Sequence, residues 1–192
     1  RTNSYPGAGC RHLARLLFRA YPRFMRKTTM LNEQWRFHPG DDVGADALGY
    51  GTRGLIGDET RVWQKTGNHG LSKLGNPAVE RWRLVDVPHD FVIEGEFRRD
   101  ASRGHGSLEH GTAWYVKRFD VGDGEPGRRV RVEFDGVYRN SEIWCNGHFI
   151  GRHLSGYTSF GFDLSEYVIP GAANVLAVHV DARENELWSY EG

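Results

Sequence analysis

The chain has 192 residues, enough for one domain with a core of its own and no need of a disulfide or metal staple. Its 25 glycines follow no collagen-like period, and aromatics at 12% exclude a disordered chain in favour of a turn-rich fold with an aromatic core. The formal charge is zero, but residues 1–29 hold seven basic groups and no acid, leaving 18 basic against 25 acidic groups in the rest, and so acidic a body excludes a nucleic-acid binder.

Within residues 1–29, Leu13, Leu16, Leu17 and Ala20 recur at helical spacing opposite Arg11, Arg15 and Arg19. This basic amphipathic pattern suits a membrane surface or an organellar transit peptide. It equally suits upstream sequence or a tag ahead of a natural start at Met25 or Met30, the reading we adopt. Charges interrupt every apolar stretch, so the segment is no secretory signal, and its absence points to the cytoplasm. No run reaches the roughly 18 apolar residues of a membrane-spanning helix, and no membrane partner is expected. The segment 1–29 is predicted to be an extension, helical or disordered. Deleting residues 1–24 should leave the melting temperature within about two degrees.

From Trp35 onward the period becomes two. Residues 40–80 are glycine-rich and weakly periodic, and read as a long surface excursion. Residues 113–121 form a strand rich in β-branched and aromatic residues. In 128–134, Val130, Val132 and Phe134 alternate with Arg129, Arg131 and Glu133, the pattern of a half-buried antiparallel strand. Ser141 to Cys145 enters the hairpin turn Asn146-Gly147 and leaves through His148 to Ile150. Residues 174–180 form a last strand, with Leu176, Val178 and Val180 facing the core. Further turns fall at Gly122 to Gly127, Asp135-Gly136 and Pro170-Gly171. Short strands spaced by turns, with no long helix after residue 30, predict an all-β, antiparallel two-sheet sandwich.

Chemistry is sparse. None of the nine histidines has a metal-binding spacing, so no metal and no cofactor are expected. Most read as solvated loop residues. There is no Gly-x-Ser-x-Gly elbow and no phosphate loop. Acids cluster at Asp86, Asp90, Glu94 and Glu96, and again at Glu184, Glu186 and Glu191, and spacing alone leaves all of them as surface carboxylates. Cys10 and Cys145 read as free thiols. Trp114 and Trp144 lie within strands and read as core. Trp188 and Tyr190 follow the last strand beside Glu184, Asn185 and Glu186, where flat rings next to carboxylates suit carbohydrate recognition.

Several stretches, taken together, resemble one family. They are Leu31-Asn-Glu-Gln-Trp-Arg-Phe-His-Pro-Gly-Asp41, Trp82-Arg-Leu-Val-Asp-Val-Pro-His-Asp-Phe91, Thr112-Ala-Trp-Tyr-Val-Lys-Arg-Phe119 and Phe134-Asp-Gly-Val137. They continue with Ile143-Trp-Cys-Asn-Gly147, Gly156-Tyr-Thr-Ser-Phe-Gly-Phe-Asp163 and Asn174-Val-Leu-Ala-Val178. Their order and spacing resemble the N-terminal sugar-binding domain of glycoside hydrolase family 2, the β-galactosidase and β-glucuronidase family, over residues 30–192. The resemblance implies a jelly-roll sandwich that, in the family, precedes an immunoglobulin-like domain and a TIM barrel. The family's two catalytic glutamates lie on that barrel, and these 192 residues hold no counterpart of either. The implied role is the sugar-binding part of a retaining exo-β-glycosidase, β-galactosidase-like, working with that catalytic barrel on a terminal β-linked sugar. An autonomous carbohydrate-binding module is the rival from another class. Loops of the family's first domain contact the non-reducing sugar, and the matching regions here are Gly106 to His110 and Glu184 to Tyr190. The expected carbohydrate contacts are Ser107, Glu109, His110, Glu186 and Trp188. An aspartate found near Trp188 in some members is absent, so the resemblance leaves galactose, glucuronic acid and mannose unseparated.

Overall fold

A computed structural model describes residues 26–43, 79–101, 106–123 and 128–183, together with the backbone of 14–19. Among the described residues ten strands run in chain order: β1 (Ala14–Arg19), β2 (Lys27–Met30), β3 (Trp35–Pro39), β4 (Arg83–Val85) and β5 (Thr112–Asp120), followed by β6 (Arg129–Phe134), β7 (Ser141–Cys145), β8 (His148–His153), β9 (Phe160–Asp163) and β10 (Ala173–Asp181). All pairings are antiparallel. One sheet has four strands in the order β2-β1-β6-β9, and the other has six in the order β4-β3-β5-β10-β7-β8. The only helix among the described residues is a single 3-10 turn, Val79–Arg81. The expected antiparallel sandwich is what the chain forms.

Alternation sets the core. Val130, Val132 and Phe134 from β6 meet Leu176, Val178 and Val180 from β10, with Trp35, Phe37, Tyr115, Phe119 and Ile143 filling the same layer. Arg129 and Arg131, the intervening residues of β6, are exposed. Asn146 and Gly147 both take positive φ, 49° and 82°, as a two-residue hairpin turn whose twist matches its strands requires. At Gly151 of β8 a Cβ would lie 2.5 Å from the Phe162 ring. Only glycine lets β8 approach that closely.

One expectation needs correction. The stretch predicted as an amphipathic helix, Leu13 to Ala20, instead holds β1, whose six residues pair with β6 from Ala14–Phe134 to Arg19–Arg129. Strand β2 then pairs with β1, from Arg15–Met30 to Phe18–Lys27. Pairing along β6 gives this backbone partners that an isolated helix would have supplied internally, and tertiary context overrides the local period. The boundary expected after residue 29 therefore runs through β2. Trp114 and Trp144 are buried core residues, as expected. With Val79, Trp82, Val116, Val175 and Ala177 they form a second apolar layer on the other face of the six-stranded sheet. Of the excursion predicted at 40–80, residues 44–78 lie outside the described residues.

Candidate functional site

Register decides which residues share an end. Pro39 pairs with Ala113, Thr112 with Asp181, Val180 with Ser141, and Ser141 with His153. The loops entering β5 and β7 and those leaving β3, β8 and β10 therefore gather at one end of the sandwich. Ser107, Glu109 and His110 come there on the loop into β5, together with residues 182–183, which follow β10. Glu186 and Trp188 lie outside the described residues.

Residues 86–101 and 106–111 lie between β4 and β5, and Val87 and Phe91 pack against the core there. His89 Nε2 is 3.1 Å from Glu94 Oε1, and His89 Nδ1 is 2.7 Å from the Tyr115 hydroxyl. A carboxylate only accepts, so Nε2 carries a proton toward Glu94, and Nδ1 shares a hydrogen bond with the buried tyrosine hydroxyl. Arg83 grips the second oxygen of Glu94 while its guanidinium lies 4.9 Å from the centre of the Phe37 ring. The arginine bond is the main reason that the Glu94 carboxyl titrates below its ordinary range. Burial raises the Tyr115 phenol.

Beyond this brace the loop doubles back. The Arg98 N–H donates to the Ser107 carbonyl at 2.9 Å. The Arg98 guanidinium spans two carboxylates, with Nη1 2.7 Å from Glu109 and Nε and Nη2 at 3.1 and 2.8 Å from Asp100. Gly106 and Ser107 are consecutive left-handed residues, with φ of 71° and 60°. His110, predicted as a solvated loop residue, is half-buried, and its Nδ1 lies 3.2 Å from the Ala182 carbonyl. Ala182 N–H donates in turn to the Gly111 carbonyl at 2.9 Å. The first loop region that the sequence singled out is thus tied to the residues that follow β10, while the second, 184–190, lies outside the described residues.

Buried Arg139, from the loop between β6 and β7, completes the end. It donates through Nη2 to the Arg183 carbonyl at 3.2 Å, and its own carbonyl accepts from Asp181 N–H. Arg183 closes a two-bond fork on Asp181 at 2.9 and 2.7 Å. Asp100 and Asp181 titrate below the usual carboxylate range, each chiefly through its arginine. An acid catalyst for glycoside cleavage must hold its proton near neutral pH, the opposite condition. These carboxylates therefore suit holding loops and accepting hydrogen bonds rather than proton transfer. No group of three or more His, Cys, Asp or Glu side chains among the described residues could hold a metal ion. Sequence reasoning missed Arg98 and Arg139, because neither lies in a recognisable motif and the role of Arg139 depends on a carbonyl 44 residues away.

Residues 102–190 match the family model described as "Glycosyl hydrolases family 2, sugar binding domain". A β-galactosidase of Bacteroides ovatus is 37% identical over 171 residues, which cover 87% of this chain and 17% of the relative. A β-galactosidase of Thermoanaerobacter pseudethanolicus is 41% identical over 106 residues, covering 55% of this chain and 13% of its own length. Among solved structures, a β-glycosidase from Bacteroides vulgatus superposes with a TM-score of 0.58 at 30% identity, over 78% of this chain and 16% of that one. The chain thus spans less than a fifth of the length of these relatives.

Proposed function

The chain carries, over residues 102–190, a sugar-binding domain of glycosyl hydrolase family 2, and on that premise we propose that it forms the sugar-facing edge of a retaining, β-galactosidase-like exo-β-glycosidase. Its loop end would meet the terminal sugar, with Ser107, Glu109, His110, Glu186 and Trp188 as contacts. A separate catalytic barrel would supply the nucleophile and the acid/base that a retaining mechanism needs. The observation that carries this reading is the 37% identity to the B. ovatus β-galactosidase across 87% of the chain. The geometry agrees with it. A sandwich with a continuous core holds an end whose loops are tied by backbone bonds and arginine forks, a rigid support for one side of a sugar subsite.

Half a subsite offers few contacts to offset the freedom lost on binding, so affinity for a free sugar should be about millimolar. The test is calorimetric titration of the 192-residue chain with galactose and lactose, beside a chromogenic β-galactoside assay. We expect millimolar binding and no turnover. Turnover that Glu184→Gln or Glu186→Gln abolishes would contradict the division of labour. Micromolar affinity without turnover would instead favour an autonomous carbohydrate-binding module.

A further inference from the structure

We propose that Arg98 is a positioning residue: its main chain and its guanidinium together hold Ser107 and Glu109 in the arrangement that meets the sugar. This inference rests on the sugar-binding reading above and adds a residue that the reading does not contain.

Three observations carry it. The guanidinium is a rigid planar fork, and here both sides are used, two bonds to Asp100 and one to Glu109. Fixing the plane on Asp100 therefore fixes the Glu109 carboxylate. One ordered side chain serves two carboxylates, so each added bond costs less entropy than an isolated surface pair would. The main chain adds an independent tie, from Arg98 N–H to the Ser107 carbonyl at 2.9 Å. Finally, Ser107 sits at φ 60°, a left-handed conformation that a serine adopts only under restraint, and the Arg98 bond falls on that residue. A loop held this way does not have to be ordered by its ligand.

The experiment repeats the galactose titration on Arg98→Ala and Arg98→Lys, with amide hydrogen exchange followed at residues 106–110. Arg98 is half-exposed, at 51% of its side-chain surface, so both variants should fold with melting temperatures within about two degrees of the parent. Arg98→Ala should weaken galactose by about five-fold and speed exchange at 106–110. Arg98→Lys keeps the charge but lacks the planar fork that fixes the two carboxylates relative to each other, so it should remain about three-fold weak. Unchanged affinity in Arg98→Ala, or full rescue by lysine, would overturn the proposal, because charge rather than geometry would then suffice. A parent chain that binds no galactose, while Arg98→Ala still loosens 106–110, would overturn the sugar reading and this proposal with it.

Discussion

Asn146 and Asn174 sit side by side under the β7–β8 turn, at the end of the sandwich away from the candidate site, and are almost wholly buried. Asn174 Oδ1 accepts from Ile169 N–H at 2.7 Å and from Asn146 Nδ2 at 2.8 Å, while its Nδ2 donates to the Ile169 and Ala172 carbonyls. Asn146 Oδ1 accepts from Val175 N–H. Each amide ties a turn to the first residues of β10, and truncation would leave buried backbone groups without partners. Asn174→Ala should cost about 3 kcal/mol, and for a chain of this size thermal unfolding should drop by about 6–12 °C. A drop below about 2 °C would show that water replaces the amide without loss. At the end that holds the candidate site, Asp181 offers a pH test. Arg183 depresses its folded pKa, so the pair's contribution is complete above the ordinary aspartate value of about 3.9 and is lost as pH falls through the lower folded value. NMR titration should place the Asp181 midpoint below that value, and Arg183→Ala should move it upward. An unmoved midpoint would mean that the fork does not form in solution.

Strand β1 is where the sequence and the folded chain differ most. Removing residues 1–24 deletes a strand paired along all six residues of β6 and leaves β6 with one neighbour, β9, where it had two. The melting temperature should fall by several degrees, by ~3 °C for each kcal/mol lost. A change of two degrees or less would return the segment to the status its composition suggested. The physical reason for the difference is plain. Leu13, Leu16, Leu17 and Ala20 fit a helical period, and nothing local shows that β6 has an open edge waiting for a strand. Strands β5, β6, β7, β8 and β10 were legible because alternation and the Asn146-Gly147 turn are local signals. The site was legible only in part. The loop containing Ser107, Glu109 and His110 could be placed through family resemblance, whereas the Arg139–Arg183 bond and the His89–Tyr115 brace join residues 44 and 26 apart in sequence and become visible only with the fold. Histidines showed the same limit. His179 reads as a strand residue among apolar neighbours, yet its Nε2 reaches Asp41, 138 residues earlier in the chain, at 2.7 Å.

At the scale of the molecule, the six-stranded sheet is apolar on both faces, with the sandwich core on one and the layer of Trp82, Trp114 and Trp144 on the other. Neither face is a polar, open surface of the kind that carries a sugar on a flat sheet. The proposed sugar site is therefore placed at the loop end, where polar groups converge. This assignment is the centre of the account, and location tests it more directly than affinity does. The measurement is a galactose titration of the isotope-labelled 192-residue chain, followed residue by residue in amide NMR spectra. The account predicts perturbations confined to residues 106–111, 139 and 182–183 and the segment that follows. Perturbations centred on the tryptophan layer, or around Asn146 and Asn174 at the opposite end, would contradict it.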